Sequence, residues 1–356
     1  MYLKYVVFFV FLITSLLFNV QMPTKVIDMI QMITVVGYDA TEQDTLRGTV
    51  VAPKYLPQGK VEDFIYTDTA DTVYENRVKL NAKATERLLS GKLKVVFYNR
   101  ELAERGIKNF VEFMRRDPSI GGKVYLAVTE GSTLELINSV QTSKGRGMFF
   151  TDLFEHNIKH GNLPQTNLKE FESDWQSETT DPILPMFSIE NKKPELQSIA
   201  LFDGDKYVDK LPIKDADVFK LLYENVSDGS FQHKNDKYYI SIENVESDKD
   251  VAFEAKKESG EVTVNLQVRG VIREFTGRKP TNRLPAIEKD IQKDLTQKAE
   301  KLIKRFQELN IDPLGIEGDV KSSNRNYDKQ HFKEVYPEMP ISVNVDARLT
   351  ETGTRR

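Results

Sequence analysis

Two of the four histidines in this 356-residue chain, His156 and His160, stand one helical turn apart, with Asp152 a further turn back on the same face. Imidazoles at that spacing can share a divalent metal ion. The pattern is only half of a zinc-protease signature, however. Glu155 precedes the first histidine, where that chemistry needs a glutamate after it, and no third ligand is in view. A solvated amphipathic helix accounts for the same residues. Arg115 and Arg116, followed by Asp117 and Pro118, have the chemistry of an anion clamp. A basic pair closing a helix before proline is also what the helix dipole and the stop signal favour. Lys289, Lys293, Lys298, Lys301, Lys304 and Arg305 lie among acids on one long helical stretch and suit lipid headgroups or a partner. Mixed-charge faces of this kind are ordinarily just solvated.

Other chemistry is harder to place. The chain has no Gly-x-Ser-x-Gly elbow, no phosphate-cradling Gly-x4-Gly-Lys-Ser/Thr loop and no dinucleotide fingerprint, and neither Gly270 nor Gly145-Arg146-Gly147 replaces them. With 54 Asp and Glu residues, spacing alone cannot single out an acid–base pair. Cysteine is absent, which removes disulfides, thiolate metal sites, thiol nucleophiles and thioether-linked lipid from these residues. Fifty Lys and Arg give a net charge of −4, without the one-signed excess that phosphate-backbone binding needs. No catalytic, cofactor-binding, metal or lipidation residue is assigned, nucleic acid is not an expected partner, and the expectation is a binding protein and not an enzyme.

The first twenty residues carry the strongest physical signal. Residues 5–20 are almost wholly apolar, with Val6, Val7, Phe8, Phe9, Phe11, Leu12, Leu16, Leu17 and Phe18 as the expected membrane anchor. The run fits a signal sequence or an anchor. No small-residue pair suits a cleavage site before Met22, which favours an uncleaved anchor over a signal, and the position at the amino terminus with Pro23 just behind disfavours a buried core helix. Lys4 then points to a cytoplasmic amino terminus and an extracytoplasmic remainder.

The elements beyond it predict a mixed α+β protein. Strands are expected at 32–38 and 45–51, a helix at 72–90 stopped by Gly91, then strand 93–98, helix 102–114, strand 124–128 and helix 133–140. That alternation calls for parallel pairing with helical crossovers. Residues 147–175 read as helical with a break at 161–164, and Thr179-Thr180-Asp181-Pro182 reads as a linker or sharp turn. A hairpin about Asp203-Gly204-Asp205, a helix at 215–225 and alternating strands at 237–245, 251–255 and 262–275 follow. The clearest helix spans 283–309, with Ile287, Ile291, Leu295, Ala299, Leu302, Phe306 and Leu309 in one stripe, and a last strand covers 341–349. The expected layout is an anchor at 1–21, an N-terminal domain at 22–185 of one or two subdomains, and a C-terminal domain at 195–356 with an antiparallel sheet and the long amphipathic helix.

Residues 91–120 resemble the N-terminal region of the Ger(x)C spore germination proteins: a strand leading to Glu101-Leu102-Ala103, then Gly106-Ile107, Phe113 and Arg116-Asp117-Pro118, followed by Leu126-Ala127-Val128 and Glu130-Gly131. Val35-Val36-Gly37-Tyr38-Asp39 fits the same pattern. So do Ala200-Leu201-Phe202, Lys206-Tyr207-Val208, Ile311-Asp312-Pro313-Leu314-Gly315 and the strand beginning at Val343. The resemblance implies a C subunit of a nutrient germinant receptor. Such a subunit would be non-enzymatic and peripheral, on the outer face of the inner spore membrane beside integral A and B subunits, and would meet the nutrient only indirectly. An anchored extracytoplasmic solute-binding protein acting alone is the alternative. Two departures stand out. Family members carry a lipobox cysteine about where Gln21 stands, so the apolar helix would have to anchor this chain, and Phe332 stands near where a tryptophan is expected.

Overall fold

The computed structural model describes Tyr5 and residues 29–42, 45–160, 163–255, 260–277 and 283–351. The anchor residues Val6, Val7, Phe8, Phe9, Phe11, Leu12, Leu16, Leu17 and Phe18 lie outside the described residues. Among those described, no helix is long and apolar enough to cross a membrane.

The first half is built on an eight-stranded mixed sheet. Its members in chain order are β2 (Val35–Ala40), β3 (Leu46–Tyr55), β4 (Val61–Ala70), β6 (Val95–Asn99), β7 (Tyr125–Thr129), β8 (Ile183–Glu190), β9 (Lys193–Asp203) and β10 (Lys206–Pro212), and their spatial order is β10-β9-β8-β7-β6-β2-β3-β4. The four central strands β2, β6, β7 and β8 run parallel, as the strand–helix alternation predicts, and antiparallel hairpins close both flanks. Helices α1 (Val73–Lys83), α2 (Arg100–Arg105), α3 (Lys108–Arg116) and α6 (Leu168–Ser177) pack Leu80, Leu102, Ile107, Phe110 and Phe171 on one face. On the other, α4 (Thr133–Ser139) and α5 (Arg146–Lys159) bury Leu136, Ile137, Phe150 and Phe154. A pair of short parallel strands, β1 (Ile30–Met32) and β5 (Arg87–Leu89), stands beside this sheet.

The interval 185–195, expected to separate two domains, is the β8–β9 hairpin inside this sheet. Three of the eight strands therefore come from residues at or beyond Ile183.

The second half is a four-stranded sheet of β11 (Gly229–Lys234), β12 (Tyr238–Glu254), β13 (Glu261–Gly277) and β14 (Ile341–Glu351), covered by α7 (Ala216–Tyr223) and α8 (Arg283–Leu309). β11, β12 and β13 pair antiparallel, as the alternating strands predict, whereas the last strand, β14, joins β13 in parallel. The reason is the crossover: α8, α9 (Ile316–Ser323) and α10 (Lys329–Val335) carry the chain back before it re-enters the sheet. The stripe on α8 is buried as its spacing predicts, with Ile287, Ile291 and Phe306 inaccessible to solvent. Ile183, Ile199, Leu201 and Leu211 of the large sheet belong to the same apolar cluster as Phe306, Ile311 and Tyr336, so the two halves share one core.

Candidate functional site

The residues first singled out for chemistry do not form a site. His156 and His160 have ring centroids 4.5 Å apart in the last turn of α5, while Asp152 is taken by Lys144 at 3.7 Å. No three His, Asp or Glu side chains among the described residues are grouped to hold a metal ion. Arg115 and Arg116 close α3 and pair with Glu172 and Glu112 at 3.6 and 3.2 Å, which leaves no open clamp. On α8, Lys298 pairs with Asp294 at 2.8 Å and Arg305 with Asp209 at 2.6 Å, whereas Lys289 and Lys293 are exposed.

A cleft of about 450 Å³ lies where the two halves meet. Its walls come from the end of α6, the 179–181 connection, the β9–β10 turn, the loop between α8 and α9, and α10. Local chemistry fixes each wall. Gly106 takes φ +111°, which lets the chain leave α2. Beside it the backbone N–H groups of Ile107 and Lys108 donate to the Asp205 carbonyl and Oδ2 at 3.0 and 2.9 Å, seating the β9–β10 turn. Asp328 accepts from the His331 N–H at 2.7 Å and so caps α10.

Asp181 is the knot between these walls. Its Oδ1 accepts from the Gly204 N–H at 3.0 Å and its Oδ2 from the Asp312 N–H at 2.7 Å, while its own N–H donates to the Asp312 carbonyl at 3.0 Å. Asp312 in turn accepts from the Glu317 N–H at 2.6 Å, holding the first turn of α9. Gly315 follows in the left-handed region at φ +70°, where a Cβ would come within 3.0 Å of Thr180 Oγ1. The Ile311–Gly315 motif is thus a turn that pins the second half to the 179–182 connection. Tyr336 adds a hydrogen bond from its hydroxyl to the Ile311 carbonyl at 3.1 Å.

Burial governs the electrostatics. Asp312 is 6% exposed, its Oδ1 accepts no hydrogen bond, and burial pushes its carboxyl up to about 7. Burial also raises Asp181, against the two backbone N–H groups it accepts from. Nearby, burial lifts Asp174 to about 6, although the Tyr223 hydroxyl donates to it at 3.0 Å. Lys329 reaches Glu178 at 2.6 Å, and Tyr327 donates to Glu317. Trp175 forms part of one wall.

Sequence reasoning passed over Asp181, Asp312, Trp175 and Tyr336 as site residues. One signal was available: Asp117, Asp181 and Asp312 each precede a proline. Proline holds the preceding residue extended, freeing its carboxylate for nearby backbone N–H groups, and all three accept such bonds. Other motif residues have framework roles as well. Buried Asp39 accepts from the Thr133 N–H at 2.6 Å and from Arg47 at 3.0 Å, and Gly37 leaves room for α4, since a Cβ would sit 2.5 Å from Thr133 Oγ1.

Two family models match in order: the spore germination protein N-terminal domain over residues 23–189 and the spore germination B3/GerAC-like C-terminal domain over residues 197–353. Spore germination protein GerQC of Bacillus cereus is 31% identical over 351 residues, covering 96% of this chain and 98% of that protein. The crystal structure of the GerBC protein superposes with a TM-score of 0.60 at 13% identity, over 88% of this chain and 96% of that one, and so shares the fold. Matched along nearly its whole length, in both halves and in order, the chain belongs to the Ger(x)C family of spore germination proteins.

Proposed function

We propose that this chain is the non-enzymatic peripheral subunit of a nutrient germinant receptor, working in spore germination at the outer face of the inner spore membrane beside integral A and B subunits. The observation that carries this reading is the full-length match to GerQC together with both family models in sequence. Arg115, Arg116 and Asp152, whose spacing only resembles an anion clamp or a metal site, are engaged in ion pairs with Glu172, Glu112 and Lys144. With no cysteine in the sequence, attachment falls to the apolar run at 5–20, whose anchor residues are Val6, Val7, Phe8, Phe9, Phe11, Leu12, Leu16, Leu17 and Phe18.

Affinity purification of the tagged chain from detergent-solubilised spore membranes tests the assembly. Two multi-span membrane proteins should come with it in fixed ratio, and recovery of the chain alone under gentle extraction would overturn the reading. Introducing lysine at Leu12 and Leu16 tests the anchor separately: the variant should move to the soluble fraction. The solute-binding alternative gains one point from the structure, since the cleft lies between the two halves, where such a protein needs it.

A further inference from the structure

One end of the large sheet carries an unbalanced positive charge. Backbone hydrogen bonds at the first residues of β2, β6 and β7 draw this rim together. The Thr34 carbonyl accepts from the Lys94 N–H at 2.9 Å, the Lys94 carbonyl from the Tyr125 N–H at 2.8 Å and the Gly122 carbonyl from the Lys169 N–H at 3.1 Å. β5 joins through its Leu89 carbonyl, which accepts from the Ile33 N–H at 2.8 Å, and the β3–β4 hairpin through its Val51 carbonyl, which accepts from the Thr34 N–H at 2.9 Å. Arg87, Lys92, Lys94, Lys123 and Lys169 are exposed here, and none of the five is in an ion pair with a described residue. Of the neighbouring acids, Asp63 and Asp117 are taken by Arg146 and Arg77 at 3.1 and 3.2 Å, Glu62 stands opposite Lys54 in the β3–β4 register, and Glu86 and Glu170 are half-buried. Tyr55, beside the hairpin turn, is 76% exposed.

The chain enters the sheet at this same rim. β1 begins at Ile30, opposite Arg87, and the nine residues 21–29 separate it from the apolar run. Nine extended residues reach at most about 30 Å, well under the ~50 Å breadth of a compact chain of this length. With residues 5–20 in the bilayer, the rim that receives the tether is the part of the protein nearest the headgroups. Unpaired cations beside an exposed tyrosine have the chemistry that an anionic lipid interface attracts. Asp181 and Asp203 stand at the β8–β9 flank and limit the contact to the strands from β7 to β4. We propose that this rim is a lipid-headgroup contact, in which Arg87, Lys92, Lys94, Lys123 and Lys169 meet the phosphates of an anionic bilayer and Tyr55 seats at its interface, holding the anchored protein in one orientation. The direction in which the rim faces rests on reading residues 5–20 as the anchor.

The test uses the full chain carrying Leu12→Lys and Leu16→Lys, co-sedimented with vesicles of phosphatidylcholine alone or with a third of phosphatidylglycerol, in about 0.1 M salt. The anionic vesicles should bind it about tenfold or more tightly than the neutral ones, and raising the salt to about 0.5 M should remove the preference. Adding Lys92→Glu with Lys94→Glu should cut binding to anionic vesicles about tenfold. Lys289→Glu with Lys293→Glu, the same change of net charge on the exposed face of α8, should alter it less than about twofold. All four lysines are exposed, so these variants keep the fold, which circular dichroism would verify. Equal binding to both kinds of vesicle, no response to reversal at Lys92 and Lys94, or an equal loss from the α8 pair would each overturn the proposal. So would loss of co-purifying membrane proteins from the Lys92 and Lys94 variant with vesicle binding unchanged, which would give the rim to an acidic protein instead. The anchor is read separately, by whether Leu12→Lys and Leu16→Lys release the chain from neutral vesicles, so either idea can fail without the other.

Discussion

At the scale of single residues, the junction holds two groups whose removal has opposite expected signs. Asp312 ionises at a cost, because it is buried beside Asp181 and Glu317, with Tyr336 facing it and the ammonium of Lys249 itself lowered by burial. Its carboxyl is raised from 3.8 to about 7, so the stability it contributes is complete below about pH 4 and is lost as pH rises through about 7. A shift of that size is worth roughly 4 kcal/mol at most. Asn can still accept from the Glu317 N–H, so Asp312→Asn should melt higher than the parent at pH 8 and lose that advantage towards pH 5. Melting curves across that range check the sign, and a pH-independent difference would contradict it. Gly315 runs the other way. An alanine there must hold φ +70° and meet Thr180 at 3.0 Å, so Gly315→Ala should cost about 1–3 kcal/mol by denaturant unfolding.

At the scale of elements, α8 shows what sequence conveys best. Its apolar stripe repeats at helical spacing over 27 residues, and the structure buries that stripe over the second sheet. Leu295→Ala should therefore cost about 2–5 kcal/mol in chemical denaturation, while Lys293→Ala on the exposed face should stay within about 0.5 kcal/mol. Elsewhere local pattern competed with long-range pairing. The helix expected at 72–90 ends at Lys83, and Leu88, a helical repeat from Leu80 and Ala84, is instead drawn into β5 opposite Gln31. β4 was not legible because this edge strand is half-exposed on both faces and its residues follow no clean alternation. β8 was masked by Pro185, tolerated because β7 pairs only with Met186 and Phe187. The cleft was less legible still. Asp181 and Asp312 lie 131 positions apart, and no periodicity relates them.

At the scale of the molecule, the decisive feature is that the large sheet and the shared core both ignore the midpoint of the chain. β9 is an interior strand that takes hydrogen bonds from β8 on one side and β10 on the other, so a fragment ending near residue 190 would leave the whole of β8 unpaired on that edge. Leu201 and Leu211 pack in the cluster that also holds Phe306 and Ile311. Arg305 crosses to Asp209 at 2.6 Å and to the Lys210 carbonyl at 2.8 Å. Polar and apolar contacts therefore link the same two halves, and neither can open without exposing the other's core. The expectation is one cooperative calorimetric transition for the full chain. Asp181→Ala should lower that transition, because the Gly204 and Asp312 N–H groups lose a charged acceptor, a loss on the order of 3 kcal/mol. Two well-separated transitions in the parent protein would show that the halves fold independently and that the junction is only a contact surface. A single transition that falls in temperature with Asp181→Ala, at unchanged calorimetric cooperativity, would place the junction inside the folding unit.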